Sequence, residues 1–351
     1  MARAATQRDA APVGEADAVP GVEAPREHMR FVGHAETEAA VLSALAGGTL
    51  HHALLLGGAR GIGKATFAYR LARFLLAGGD PRAGTLDVDP HASAVRLVNG
   101  GAHPDMLVLS RAFNEQTGRF RADILVDDVR RLVPFFGSTP ALGGWRIAIV
   151  DAADDLNLNA ANALLKTLEE PPPRSLFLLV SHAPGRLLAT IRSRCRLLRM
   201  APLGDADLSA GLAAIGLGAA ADAAVERAEG SLRAAILLAA GGDRDIAAVT
   251  AGLLEKLPAL DRRALGKLAD AATGREGEAA YAATVALVRD FVTRRVRNGA
   301  ASGAAPAALA AWAEVWEKVD RAVGRAEALN LDRRQVVLGV FRDLAEAAGR
   351  G

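Results

Sequence analysis

Apolar positions change their rhythm once along this chain, near residue 201. Between residues 29 and 201, apolar runs of strand length alternate with stretches of helical period. Candidate strands cover 53–56, 106–109, 146–150 and 176–180, and residues 67–76 interleave apolar and basic positions at helical spacing. Strands separated by helices in this way predict a parallel α/β sheet. From 202 onward strand signals all but vanish, and alanine- and leucine-rich helical patterns take over. Breaks in those helices are predicted at Gly241-Gly242, Pro258, Gly274 and across 298–306. Residues 1–28 carry no periodicity and are rich in Ala, Pro, Glu, Gly and Arg, so they are expected to be a disordered extension.

Composition narrows the functional classes. The 351 residues suggest two or three domains, and 51 % apolar content supplies their cores. A net charge of +2 gives no reason by itself to expect a nucleic-acid partner. One cysteine excludes an internal disulfide and any multi-cysteine zinc site, so no zinc is expected. No apolar run reaches the ~18 residues needed to cross a membrane. The N-terminus lacks a charged-then-apolar leader pattern, and a cytoplasmic protein is expected.

The first candidate chemistry lies at 58–66, Gly-Ala-Arg-Gly-Ile-Gly-Lys-Ala-Thr. Gly58, Gly63 and Lys64 satisfy the phosphate-loop pattern G-x-x-x-x-G-K-[ST]. Lysine is scarce here, five residues against 37 arginines, which makes a lysine at this position informative. The loop lies between a strand-like run and a helical pattern, the order that aims backbone N–H groups at an anion. Lys64 and the amides around Gly61 and Gly63 are the candidate phosphate ligands, with Thr66 as one further donor. The position that should carry a Mg²⁺-ligating hydroxyl is Ala65. The strand 146–150 leads into Asp151, and the next position, where an acid would orient the attacking water, is Ala152. The site keeps its frame and lacks two working groups. Nucleotide is therefore not required, weak ATP or ADP binding is possible, and turnover is not expected unless Asp154 or Asp155 substitutes.

The strongest fingerprint follows. Residues 160–170 read as a helix, capped by Asn159 and stopped by Pro171-Pro172-Pro173, with Ala163, Leu164 and Leu168 on one face, and Asn162-Ala-Leu-Leu-Lys-Thr-Leu-Glu-Glu-Pro-Pro172 runs along it. Ser193-Arg194-Cys195 comes after the next strand. Together these resemble the bacterial DNA polymerase III clamp loader, over about residues 29–245. The resemblance implies an AAA+ P-loop core with a parallel sheet over 29–201, a small helical lid over 202–244 and a C-terminal helical collar over 245–351.

Within that family the departures point to one type of subunit. The hydrolysing gamma and tau subunits carry a complete loop and an Asp-Glu pair, and many relatives insert a four-cysteine module that 78–104 lacks. Gly-Lys-Ala-Thr, Asp151-Ala152, His103-Pro104-Asp105 and Val126-Asp-Asp-Val-Arg130 resemble the non-hydrolysing delta-prime type. The resemblance implies that Arg194 reaches in trans into a neighbouring subunit's ATP site, a contribution of about 10³–10⁵ in rate in well-studied phosphoryl transfer. It also implies gamma, tau and delta partners, and contact with the sliding clamp and primer-template DNA through the complex. Gly230-Ser231-Leu232-Arg233 resembles the lid motif whose arginine senses nucleotide. Competing readings are an active gamma- or tau-type ATPase, and an AAA+ regulator or helicase outside replication.

Other candidates carry blander expectations. Cys195 is expected to be packed and not nucleophilic. His91, His103 and Asp105 are too loosely spaced for a metal site. His51 and His52 are expected to be strand-entry packing and a surface residue. Arg294, Arg295 and Arg297 are expected to be a solvated helix end and not a DNA contact. Trp312 and Trp316, four apart, are expected in a core.

Overall fold

The computed structural model describes residues 18–19, 22–114, 119–142, 144–218, 221–239, 244–273, 277–303, 306–329 and 331–349. The chain divides between Ala235 and Ile236 into two compact units. The first begins with helix α1 (Ala35–Ala46), strand β1 (Ala53–Gly57) and helix α2 (Lys64–Leu76). Helix α3 (Ser93–Asn99), strand β2 (Met106–Ser110) and a short hairpin, β3 (Phe113–Asn114) with β4 (Arg119–Phe120), follow. Helices α4 (Val126–Arg130) and α5 (Leu132–Gly137) lead to β5 (Arg146–Asp151), α6 (Leu158–Glu169) and β6 (Ser175–Ser181). The unit continues through α7 (Ala189–Arg192), β7 (Arg196–Arg199), α8 (Asp205–Ala214), α9 (Ala221–Arg227) and the start of α10 (Leu232–Ala239).

Five strands form one parallel sheet in the order β2-β5-β6-β1-β7. The strand period of two sorts its side chains cleanly between two cores. Leu54, Leu56, Ile147, Ile149, Leu176 and Leu178 meet Phe67, Leu71 and Phe74 of α2 on one face. Ala53, Leu55, Ala148, Val150, Phe177 and Leu179 meet Val129, Leu132, Phe136, Leu164 and Leu168 on the other. The four predicted strands are present, each one or two residues longer than expected. The fifth, β7, was not predicted: Arg-Leu-Leu-Arg is short and lies at the sheet edge, where exposed arginines replace alternation. Helix α6 starts two residues earlier than predicted. Asn157, not Asn159, is the cap, its side chain accepting from the Ala160 amide.

Most of the expected extension over 1–28 lies outside the described residues. Its last part is anchored. Buried Arg73 of α2 donates to the Arg26 carbonyl at 2.6 Å and the His28 carbonyl at 2.8 Å. Burial pushes the Arg73 guanidinium down to about 10, which leaves it charged at neutral pH.

The second unit contains α11 (Arg244–Glu255), α12 (Arg262–Ala271), α13 (Gly277–Ala301), α14 (Pro306–Leu329) and α15 (Arg333–Gly349). Helices α13, α14 and α15 pack in sequence, and α11 and α12 close the bundle. Its core includes Leu253, Leu268, Val288, Val292, Trp312, Val319, Phe341 and Leu344. The break predicted at Pro258 lies between α11 and α12. The break predicted over 298–306 starts later, because α13 continues to Ala301. Gly241-Gly242 and Gly274 lie outside the described residues. Trp312 is in the core, whereas Trp316 is 43 % exposed, which corrects the expectation of two core tryptophans. Among the described residues no helix is long and apolar enough to cross a membrane.

Candidate functional site

The loop 58–63 joins β1 to α2, and Gly63 caps α2 with φ 100°. Gly61 also has positive φ, 79°, and a Cβ there would lie 2.4 Å from the Ser231 Oγ. Only glycine permits both the dihedral and the close approach. Every carbonyl from 58 to 62 has a hydrogen-bond partner. The buried Lys64 Nζ donates to Gly58 at 2.8 Å and Ala59 at 2.5 Å. The Ser231 hydroxyl donates to Arg60 at 3.0 Å, and the Arg233 amide to Gly61 at 3.1 Å. His34 Nε2 lies 2.8 Å from the Ile62 oxygen. The structure thus brings together Gly58, Gly61, Gly63, Lys64 and the backbone of Arg233; Thr66 follows on the first turn of α2. His34 was not legible as a participant, since no local spacing links it to a loop 28 residues away.

Asp151 ends β5 at the same, C-terminal edge of the sheet as the loop, opposite Ser110 in register. The two acids nearest in sequence to the missing one at 152 are held elsewhere. Asp154 accepts from the Ser181 hydroxyl and from the His182 and Ala183 amides, at 3.0, 2.7 and 3.0 Å. Asp155 pairs with Arg111 at 3.1 Å.

Arg194 lies at the other end of the sheet. It follows α7 and precedes Arg196, which pairs with Leu54 near the start of β1. The end of α6 is there too, where His52 Nε2 lies 3.1 Å from the Leu168 oxygen. The length of β1, five residues or about 16 Å at ~3.3 Å per residue, separates Arg194 from the chain's own phosphate loop. The guanidinium pairs with Glu169 Oε1 at 2.6 Å and donates to the Thr190 carbonyl at 2.9 Å. Beside it, burial pushes the Cys195 thiol up to about 12, so it stays protonated and inert at neutral pH.

The remaining candidates have structural surroundings. Asp105 is buried and accepts from the Ala141 and Leu142 amides at 2.7 and 3.0 Å. His103 is buried, accepts from the Asp105 amide, and is pushed below the ordinary imidazole value by burial. His91 is exposed. Among the described residues, no group of three or more His, Cys, Asp or Glu is placed to hold a metal ion. His51 and His52 stack at 4.3 Å, both half-buried. Arg294 pairs with Asp290 at 2.7 Å, Arg295 lies over the Phe291 and Trp312 rings, and Arg297 is exposed.

Residues 33–204 match the protein-family model described as "DNA polymerase III, delta subunit". Over 157 residues, 44 % of this chain and 45 % of the relative, the chain is 43 % identical to the DNA polymerase III subunit delta′ of Pseudomonas aeruginosa. Over this region the chain is similar to DNA polymerase III delta-prime subunits and, at lower identity, to gamma and tau. Its identity to the tau subunit of Escherichia coli is lower, 32 % over 171 residues, 49 % of this chain and 25 % of that one. The chain spans about half the length of the delta-prime relatives it matches. A gamma-subunit-related protein of Thermotoga maritima superposes with a TM-score of 0.43 at 16 % identity, covering 89 % of this chain and 99 % of the other. The fold is read from the chain's own five-stranded parallel sheet and its helical C-terminal unit.

Proposed function

We propose that this delta-prime-like chain is the non-hydrolysing stator of a clamp loader, lending Arg194 to the ATP site of a neighbouring gamma or tau subunit. The observation that carries this reading is the placement of Arg194. It stands a strand's length from the chain's own phosphate loop, at the opposite end of the sheet, so it cannot complete that site in cis. An arginine so placed can stabilise charge on a transferring phosphoryl group only if another subunit brings the nucleotide to it.

The local chemistry supports the non-hydrolysing half of the reading. Ala65 offers no oxygen for Mg²⁺ and Ala152 no base. Asp154 and Asp155, the nearest substitutes, are held by the end of β6 and by Arg111. An active gamma- or tau-type ATPase is therefore disfavoured. Lys64, the amides of Gly61 and Gly63, and Thr66 would hold a phosphate weakly if one bound. Residues 202–244 take the place of a lid and 245–351 that of an oligomerising collar, where gamma, tau and delta would dock. Through that assembly the chain would serve the sliding clamp and primer-template DNA.

The test is reconstitution with the organism's gamma, tau and delta subunits, followed by clamp- and DNA-stimulated ATPase. Arg194→Ala should assemble normally and lower the stimulated rate, in part for total hydrolysis and further for clamp loading. Wild-type loading by a complete Arg194→Ala complex would reject the role.

A further inference from the structure

Between residues 171 and 204 the chain carries six arginines and no Asp, Glu or Lys. Among the described residues, only one of these arginines, Arg194, is ion-paired. Its partner, Glu169, is the last residue of α6 and is fixed from three sides. Leu164 and Leu168 bury the helix face, His52 engages the Leu168 carbonyl, and Pro171 to Pro173 stop the helix immediately beyond. The pair uses one end of the guanidinium, Nη2. The other end, Nη1, donates to the Thr190 carbonyl and lies 3.5 Å from the Ser193 hydroxyl. Both ends of the fork are turned onto the chain itself, although the side chain keeps a third of its surface in solvent.

We propose that Glu169 is a positioning residue that parks Arg194 in cis and releases it when a neighbour's nucleotide arrives. The inference rests on the reading of Arg194 as a finger in trans. No bond is made or broken beyond ion pairs and hydrogen bonds: the guanidinium exchanges one carboxylate for phosphate oxygens of higher charge, and Glu169 returns to water. A half-exposed pair is a shallow trap, so the parked state delays engagement without preventing it. Removing the carboxylate charge should change the occupancy of the free finger by about two- to fivefold.

The experiment compares complexes reconstituted with gamma, tau and delta and containing wild-type chain, Glu169→Gln, Arg194→Ala or both substitutions. Glutamine keeps the size of the side chain and removes its charge. Glu169→Gln should raise the Arg194-dependent share of the ATPase measured without clamp or DNA, the share lost in Arg194→Ala, by up to about two- to fivefold, and should have no effect when Arg194 is already alanine. In the free chain, phenylglyoxal should label Arg194 faster in Glu169→Gln, read by peptide mapping. An unchanged labelling rate would overturn the pair in solution. If Arg194→Ala lowers ATPase but Glu169→Gln leaves it unchanged or lowers it too, the parking role is wrong and the finger stands. If Arg194→Ala changes nothing, the finger reading is wrong and the parking role falls with it.

Discussion

Ser231 donates its hydroxyl to the carbonyl of Arg60 at 3.0 Å, so the turn before α10 is fastened to the phosphate loop. The adjacent contact, the Arg233 amide on the Gly61 carbonyl, doubles the fastening. Gly61 is the residue that lets these segments meet. Gly61→Ala should cost about 1–2 kcal/mol from the left-handed backbone alone, and more because the new methyl meets the Ser231 Oγ and the Arg233 Cβ. Urea denaturation should show it clearly. Stability equal to wild type would mean the loop does not hold this conformation in solution.

The same loop should show no turnover by itself. The purified chain with Mg²⁺ should hydrolyse ATP at background rate, and Lys64→Ala should leave that rate unchanged. Steady hydrolysis abolished by Lys64→Ala would overturn the non-hydrolysing reading. Restoring Ala65→Thr and Ala152→Glu should not create activity in the isolated chain, because Arg194 is at the wrong end of the sheet to complete the site.

Asp105 should matter for folding and not for chemistry. It accepts from two amides of the 141–142 turn and lies 3.7 Å from Arg146, whose guanidinium is also buried and reaches the Ser138 hydroxyl and the Thr139 carbonyl. Asp105→Ala would strand a buried cation and two amides, at about 3–5 kcal/mol. Chemical denaturation should record the loss. Measured stability within about 0.5 kcal/mol of wild type would contradict the buried network.

His103 gives the first unit a pH dependence. Burial depresses its folded pKa below the ordinary 6.5, so the unfolded chain takes up the proton first as pH falls. Its contribution is complete above about pH 6.5 and declines from there as pH falls toward the lower folded value. His52, depressed by burial and by His51, adds in the same sense. His103→Asn keeps an acceptor for the Asp105 amide and removes the titration. Unfolding free energy should therefore drop less between about pH 7.5 and about pH 5 in the variant than in wild type. Identical slopes would show that His103 is not buried neutral.

Periodicity revealed what local chemistry writes into the chain. The three inner strands, β5, β6 and β1, are continuous apolar runs because both faces of the sheet are covered, and α2 and α6 show their buried faces at helical spacing. The loop 58–66 was legible because the phosphate-loop pattern sets fixed residue types at fixed offsets, whereas Arg194 stood out only through the resemblance of Ser193-Arg194-Cys195 to a family motif. What the sequence hid depends on distant partners. Strand β7 is set by β1, and the roles of His34 and Ser231 by a loop far away in sequence. Glu169 was visible in the motif, but its pairing with Arg194 depends on where α6 ends relative to α7. Trp316 shows the limit of spacing arguments: one residue of a four-apart pair is core and the other is exposed, because α14 turns only part of that face toward its neighbours.

The last prediction concerns the division of the chain. The two cores of the α/β unit draw on no residue beyond Met200, and the helical core on none before Ile246. A chain ending near residue 244 would keep α10 whole and leave both sheet cores intact, so it should fold and melt cooperatively. It would lose α11 to α15, including the exposed Trp316. Large exposed aromatics are favoured anchors where one protein surface packs on another. If these helices are the collar, the truncated chain should fail to enter a complex with gamma, tau and delta on gel filtration, while the full-length chain enters. Trp316→Ala in the full chain should weaken entry without unfolding the bundle, since the indole lies outside its core. Normal incorporation of the truncated chain would reject the collar assignment, whatever the fate of Arg194.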